Sequence, residues 1–263
     1  MNFSASFFSI ISSLFFFFLV ALRVSSADDV HFASCAPFDC GNLPNISYPF
    51  WTDHHGRPAY CGFNNDERYK VKCTENQPPV VTISSQEFQL LHINQSFWLM
   101  TIQRPELGED TICPKRVLID DVFNYSDTTV NMTLSYGNCR SRAAANHTFK
   151  CKVDGLEAVD LLFENNELGC VEQVEIPVGN KALEELKLGK TALNETLFQP
   201  FDMHYIAYTA YCKSCLQSGG RCGSNGSIPA QFACYCPDHP YLVKCNLGMP
   251  PFLTLPYRKL DLV

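Results

Sequence analysis

"CKSCLQSGGRCGSNGSIPAQFACYCPDHPYLVKC", residues 212–245, holds six of the chain's 14 cysteines and no long apolar run. A segment this short and this poor in aliphatic residues cannot bury enough surface to hold itself together, so cross-links must do it. Two chemistries use such spacing. Cys212-x2-Cys215 with Cys234-x-Cys236 has the spacing of zinc ligands. An even cysteine count in an exported chain reads instead as a disulfide framework. The choice depends on the compartment, and the N-terminus speaks to that.

Phe7 to Leu22 is an apolar run, short for a membrane-spanning helix. Ser25 and Ala27 then supply the small-x-small pattern that signal peptidase accepts, although no Lys or Arg precedes the run. Residues 1–27 are therefore predicted to be a signal peptide. All the cysteines follow it, as do seven N-x-S/T triplets, at Asn45, Asn94, Asn124, Asn131, Asn146, Asn194 and Asn225. The expectation is a secreted, disulfide-bonded glycoprotein of the extracellular space, which favours the disulfide reading over zinc. Residues 249–263 form a proline-interrupted tail that does not resemble a lipid-anchor signal. Membrane attachment is expected only if the chain is part of a longer receptor. The formal net charge is −7, with no basic run, which excludes nucleic acid as a natural partner.

Between the termini the apolar pattern is short and mostly of period two. Val80–Ile83, Phe88–Ile93, Phe97–Ile102, Val130–Tyr136 and Val171–Val178 read as strands. In the fourth, Val130, Met132, Leu134 and Tyr136 share one face. Asn131, Thr133 and Ser135 share the other, which the glycosylation triplet marks as the wet one. Ala182–Leu188 is the best helix candidate, with Leu183, Leu186 and Leu188 on one side and Gly189 as a stop. Phe201–Tyr211 is aromatic and strand-prone. The predicted fold is mainly β, small and disulfide-rich, with two cysteine-rich modules at 28–151 and 152–248 before the tail. Pairing among Cys35, Cys40, Cys61, Cys73, Cys113, Cys139, Cys151 and Cys170 stays open, since eight cysteines allow about 105 connectivities.

Enzyme motifs are missing: the sequence has no H-E-x-x-H, no G-x-S-x-G and no glycine-rich phosphate loop. The seven histidines show no metal-ligand spacing. Asp120-Asp121 and Glu184-Glu185 are adjacent in sequence, so their carboxylates diverge and form no catalytic dyad. No catalytic residue, metal or cofactor is expected. For ligand binding, useful groups are aromatics that stack on sugar rings and cations that pair with carboxylates. Trp51 and Tyr60 cluster around Arg57, with Tyr48 and Phe50 better suited to a core. Arg68, Lys70 and Lys72 follow, and on a strand they would share one face. Trp51, Arg57, Tyr60, Arg68, Lys70 and Lys72 are the candidate ligand residues.

The C-x-C-x8-C ending of the opening stretch, with three cysteines upstream, resembles an EGF-like module. That likeness implies the pairs Cys212–Cys222, Cys215–Cys234 and Cys236–Cys245, and the residues before Cys212 carry no acid for a calcium site. A wider likeness runs through the chain. Cys35-x4-Cys40-Gly41-Asn42-Leu43, Ile46-Ser47-Tyr48-Pro49-Phe50-Trp51, Arg57-Pro58-x-Tyr60-Cys61-Gly62 and Val71-x-Cys73 resemble the galacturonan-binding domain of plant wall-associated receptor kinases. Cys212-x2-Cys215-x2-Ser218-Gly219-Gly220-x-Cys222-Gly223 and Phe232-x-Cys234-x-Cys236 are similar to the C-terminal cysteine-rich module of the same ectodomains, the leaf-rust-resistance receptor-like kinases in particular. The resemblance implies a cell-wall-facing ectodomain that binds pectin, followed by a membrane span and a serine/threonine kinase. The chain departs from this plan in showing no kinase motif, and Tyr205 stands where the family usually has Trp. The alternative expectation is a secreted decoy or co-receptor for a membrane receptor, with no carbohydrate ligand.

Overall fold

The computed structural model describes residues 29–63, 66–105, 112–117, 119–140, 143–153, 157–163, 169–207, 209–225 and 231–246. The expected signal peptide and C-terminal tail lie outside the described residues. The fold is mainly β. It opens with a short helix, α1 (Val30–Ser34), and a small hairpin of β1 (Phe38–Cys40) and β2 (Leu43–Ile46).

A six-stranded antiparallel sheet follows, built from β3 (Val71–Lys72), β4 (Val80–Ile83), β5 (Gln86–Asn94), β6 (Leu99–Gln103), β7 (Phe123–Tyr125) and β12 (Phe201–Tyr205) in the order β3-β4-β5-β6-β12-β7. Its inner face is the alternate residues of these strands. Val71, Val81, Ile83, Phe88, Leu90, Met100, Ile102, Phe201, Met203 and Tyr205 are buried with Phe50, Trp51 and Tyr69 from the preceding loops. Ser84 and Ser85 both have positive φ, which makes the two-residue β4–β5 turn match the twist of its strands.

A second antiparallel sheet has the order β11-β8-β10-β9, from β8 (Thr129–Tyr136), β9 (Thr148–Val153), β10 (Glu157–Leu162) and β11 (Glu172–Gly179). The alternation expected in β8 holds: Met132 and Leu134 are buried while Asn131 and Thr133 are exposed. Pro177 sits inside β11, which is an edge strand, where a missing N–H costs no ladder bond. Helices α2 (Asn180–Lys187) and α3 (Leu193–Phe198) pack Leu183, Leu186, Leu193 and Leu197 onto Ile176 and Val178. Leu188 does not join them. It is 68% exposed because the helix has ended, with Gly189 in a left-handed conformation donating to the Leu186 carbonyl.

Two expectations are corrected here. The boundary expected at 151 falls inside β9, and β12, from the C-terminal half, completes the first sheet. The two modules share strands rather than following one another, because the Phe201-Met203-Tyr205 face can be covered only by the first core. The strand-prone run to Tyr211 also stops early: β12 ends at Tyr205 and α4 (Thr209–Gln217) begins four residues on. On that helix Cys212 and Cys215 are three residues apart and so face the same side, inward. The sequence pattern missed β1, β2, β7, β9 and β10.

α4 packs on the last sheet, β13 (Arg221–Ser224), β14 (Phe232–Tyr235) and β15 (Pro240–Tyr241). The disulfides are Cys35–Cys61, Cys40–Cys73, Cys113–Cys151, Cys139–Cys170, Cys212–Cys222, Cys215–Cys234 and Cys236–Cys245. The last three are the pairs implied by the EGF-like spacing. The Sγ atoms of Cys234, Cys236 and Cys245 come within 4.8 Å of one another, but each is already bonded in a disulfide and offers no thiolate to a metal.

Two substitutions test this packing. A Cβ at Gly220 would lie 2.6–2.7 Å from the Sγ atoms of Cys234, Cys215 and Cys245. Gly220→Ala is expected to disrupt the Cys215–Cys234 and Cys236–Cys245 pairs, read by non-reducing peptide mapping; an unchanged map would refute the packing argument. The Tyr205 hydroxyl is buried and has no hydrogen-bond partner among the described residues, a situation that costs about 1–3 kcal/mol. Tyr205→Phe is therefore expected to leave the thermal midpoint unchanged or raise it, and a drop of several degrees would show that the hydroxyl has a partner.

Candidate functional site

The segment from Asp66 to Lys72 enters the first sheet through a tight turn. Glu67–Tyr69 is a single turn of 3-10 helix, with the Asp66 carboxylate accepting from the Arg68 backbone N–H at 2.9 Å. Tyr69 points inward, is fully buried, and donates its hydroxyl proton to the Ile206 carbonyl. Only Val71 and Lys72 are strand. The stretch is thus not one strand, yet the alternation persists through the turn: Tyr69 and Val71 are buried while Arg68, Lys70 and Lys72 lie outward. The three cations still meet. Together with Glu67, Thr82, Ser84 and Ser85 they line one open concavity of about 340 Å³ at the β3–β4 edge of the sheet.

The three are held differently. Arg68 directs Nε and Nη2 back to the Asp66 carboxylate, at 3.0 and 2.6 Å, and Nη1 to Asp120 and Asp121, at 3.1 and 2.9 Å. Ringed by three carboxylates, with Asp66 foremost, its guanidinium is held even more firmly protonated than usual, and it holds Asp121 below the ordinary carboxylate range. Arg68 is a clamp between the turn and the Asp120–Asp121 loop. Lys70 stands over the indole of Trp51, 5.1 Å from the ring, with Nζ 3.1 Å from Asp53 and 3.7 Å from Glu67. The Asp53 hydrogen bond raises the Lys70 pKa, and Lys70 lowers that of Asp53. Lys72 pairs with Glu87 on β5.

The other candidates lie elsewhere. Trp51 is 5% exposed and donates Nε1–H to the Asp66 carbonyl, so it supports Lys70 from below and presents no face to a ligand. Arg57 turns inward over Phe38 and donates to the Ser34 and Ala36 carbonyls; burial pushes its pKa down to about 10. Tyr60 packs between His31 and Tyr235. The backbone is extended at Arg57 and Pro58 and then makes the short helical turn Ala59–Cys61; the Arg57 side chain meets the end of α1, and that of Tyr60 meets α1 and the C-terminal module. Sequence reasoning missed Thr82, Ser84 and Ser85, whose hydroxyls come to the site only through strand pairing.

The glycosylation triplets mark other faces. Asn45 and Asn94 line the groove between β2 and β5, Asn124 lies on β7 at the far edge of the sheet, and Asn225 lines a groove against β14 and β15. None lines the cationic concavity.

The clamp is open to test. Arg68→Gln is expected to lower stability by about 1 kcal/mol or less, since the pair is partly solvated, with the difference shrinking at high salt. Urea midpoints at two ionic strengths read it, and an effect independent of salt would exclude an ionic clamp.

Comparison with known proteins gives two domain matches. Residues 35–104 match the family described as wall-associated receptor kinase galacturonan-binding, and residues 135–239 the family described as wall-associated receptor kinase C-terminal. The chain is 26% identical over 255 residues to leaf rust 10 disease-resistance locus receptor-like protein kinase-like 1.2 of Arabidopsis thaliana, across 88% of this chain and 36% of the relative. It is 26% identical over 244 residues to kinase-like 1.4 of the same organism, across 90% and 35%, and 24% identical over 265 residues to kinase-like 2.1, across 87% and 38%. The chain thus spans little more than a third of the length of these relatives. No solved structure matches. Among the described residues no helix is long and apolar enough to cross a membrane. With both domains present in this order, the chain carries the make-up of a wall-associated-receptor-kinase-type ectodomain.

Proposed function

We propose that the chain is the extracellular, polysaccharide-binding part of a receptor-like protein and that it takes acidic pectin, of the galacturonan type, at the concavity of Arg68, Lys70 and Lys72. The observation that carries this reading is a convergence: on a chain of net charge −7, three cations line one open surface that holds no glycosylation triplet. A polysaccharide site must be free of the protein's own glycans. Lys70 and Lys72 would meet the sugar carboxylates. The hydroxyls of Thr82, Ser84 and Ser85 stand where sugar hydroxyls would lie, and Arg68 shapes the wall. The galacturonan-binding match covers all of these residues.

The test is calorimetric binding of the oxidatively folded chain to defined oligogalacturonides at low and high salt. Binding is expected at low salt and is expected to weaken as salt screens the solvated charges. Lys70→Glu with Lys72→Glu is expected to abolish it. An absence of binding at low salt would falsify the reading, and unchanged binding by the double variant would move the site elsewhere.

A further inference from the structure

The lysines of the concavity are already occupied. Lys70 is held by Asp53 and Glu67, and Lys72 by Glu87. These acids differ from Asp66, the carboxylate that grips Arg68 through both oxygens, with Asp120 and the exposed Asp121 meeting only its Nη1. The Asp66 side chain is 18% exposed and bound through both oxygens, whereas those of Asp53, Glu67 and Glu87 are 72%, 73% and 56% exposed. An acid that remains mostly hydrated while paired loses little when it swings back into water. Asp66 is a fixed part of the wall, and the other three are exchangeable.

We infer that Asp53, Glu67 and Glu87 act as built-in competitors that make the concavity selective for multivalent carboxylate chains over single carboxylates. This rests on the pectin reading above and adds to it a rule of ligand length. A single carboxylate that displaces Asp53 or Glu87 exchanges one solvated ion pair for another. The exchange is close to neutral, and the loss of translational and rotational freedom goes uncompensated. A chain of linked carboxylates displaces all three acids for one such loss, because the second contact forms within an encounter already made. The internal acids thus set a threshold of valence below which the lysines stay closed. Lys70 sharpens it. Its side chain is only 28% exposed and its ammonium is backed by the Trp51 ring, so an entering carboxylate must take the place of Asp53 instead of adding beside it.

The experiment compares three forms of the full chain against galacturonic acid and oligogalacturonides of increasing length. One is unaltered. One carries Asp53→Asn, Glu67→Gln and Glu87→Gln. The third carries Asp160→Asn, Glu184→Gln and Glu185→Gln, the same charge change placed on β10 and α2 in the other layer. The unaltered chain is expected to bind only the longer oligomers. The first variant is expected to bind short oligomers roughly tenfold more tightly than the unaltered chain, with a smaller gain for long ones. If the variant on β10 and α2 gains as much, net charge explains the effect and the inference falls. If all three forms bind with the same length dependence, the inference falls while the pectin reading stands. If no form binds any oligomer, the pectin reading fails and takes the inference with it.

Discussion

Arg104 is 5% exposed and carries its charge between the rings of Phe88 and Phe201, with its Nη atoms donating to the Leu197 and Pro177 carbonyls at 3.1 and 2.9 Å. Phe88 and Phe201 belong to the six-stranded sheet, Pro177 and Leu197 to the layer of β11 and α3. One buried cation therefore binds both hydrophobic layers at the point where the chain leaves the second and re-enters the first as β12. Burial lowers its pKa to about 10, which leaves it charged at neutral pH. Folding must bear that desolvation, and two charge-assisted hydrogen bonds and two aromatic faces offset it. β12 then joins β6 and β7, and the segment that matches the galacturonan-binding family gains the strand that closes its core.

The covalent framework works on a different scale. Each disulfide stays within its own stretch: Cys35 to Cys73, Cys113 to Cys170, or Cys212 to Cys245. The first two stretches each hold two crossed pairs, which shorten the loops open to the unfolded chain. No disulfide among the described residues joins one stretch to another. Non-covalent contacts do that work. Arg57 and Arg221, from opposite ends of the chain, both donate to carbonyls at the end of α1, and Tyr60 packs against Tyr235. α1 is a peg between the N-terminal and C-terminal cysteine stretches. This explains why Arg57, attractive in sequence as a carboxylate partner, is committed to backbone carbonyls.

Charge in the concavity follows from the same division between fixed and solvated groups. Arg68 is a structural clamp because Asp66 approaches through both oxygens and is largely covered. Lys70 and Lys72 are paired with acids that stay in water. On the proposed reading, the cations are neutralised when the concavity is empty yet can be released, and exposed acids meet both needs.

Residue pattern alone determined much of this protein. Alternation along Val80–Ile83 and Val130–Tyr136 set which side chains face inward, because a strand's period of two leaves no other arrangement. Cysteine spacing after Tyr211 carried the pairing of the last module through its likeness to EGF-like modules, and Arg68, Lys70 and Lys72 were visible as a basic cluster. Only the tertiary structure decided that the cluster is a 3-10 turn leading into a two-residue strand, with Tyr69 and Val71 buried between the cations. It alone decided that β12 crosses back into the first sheet, that Trp51 is covered, and that Asp53, Glu87 and Asp120 surround the cations. Local pattern records which face of an element is apolar. It holds no information on which distant carboxylate, hydroxyl or strand the folded chain brings to that face, because those partners are chosen by packing between segments far apart in sequence.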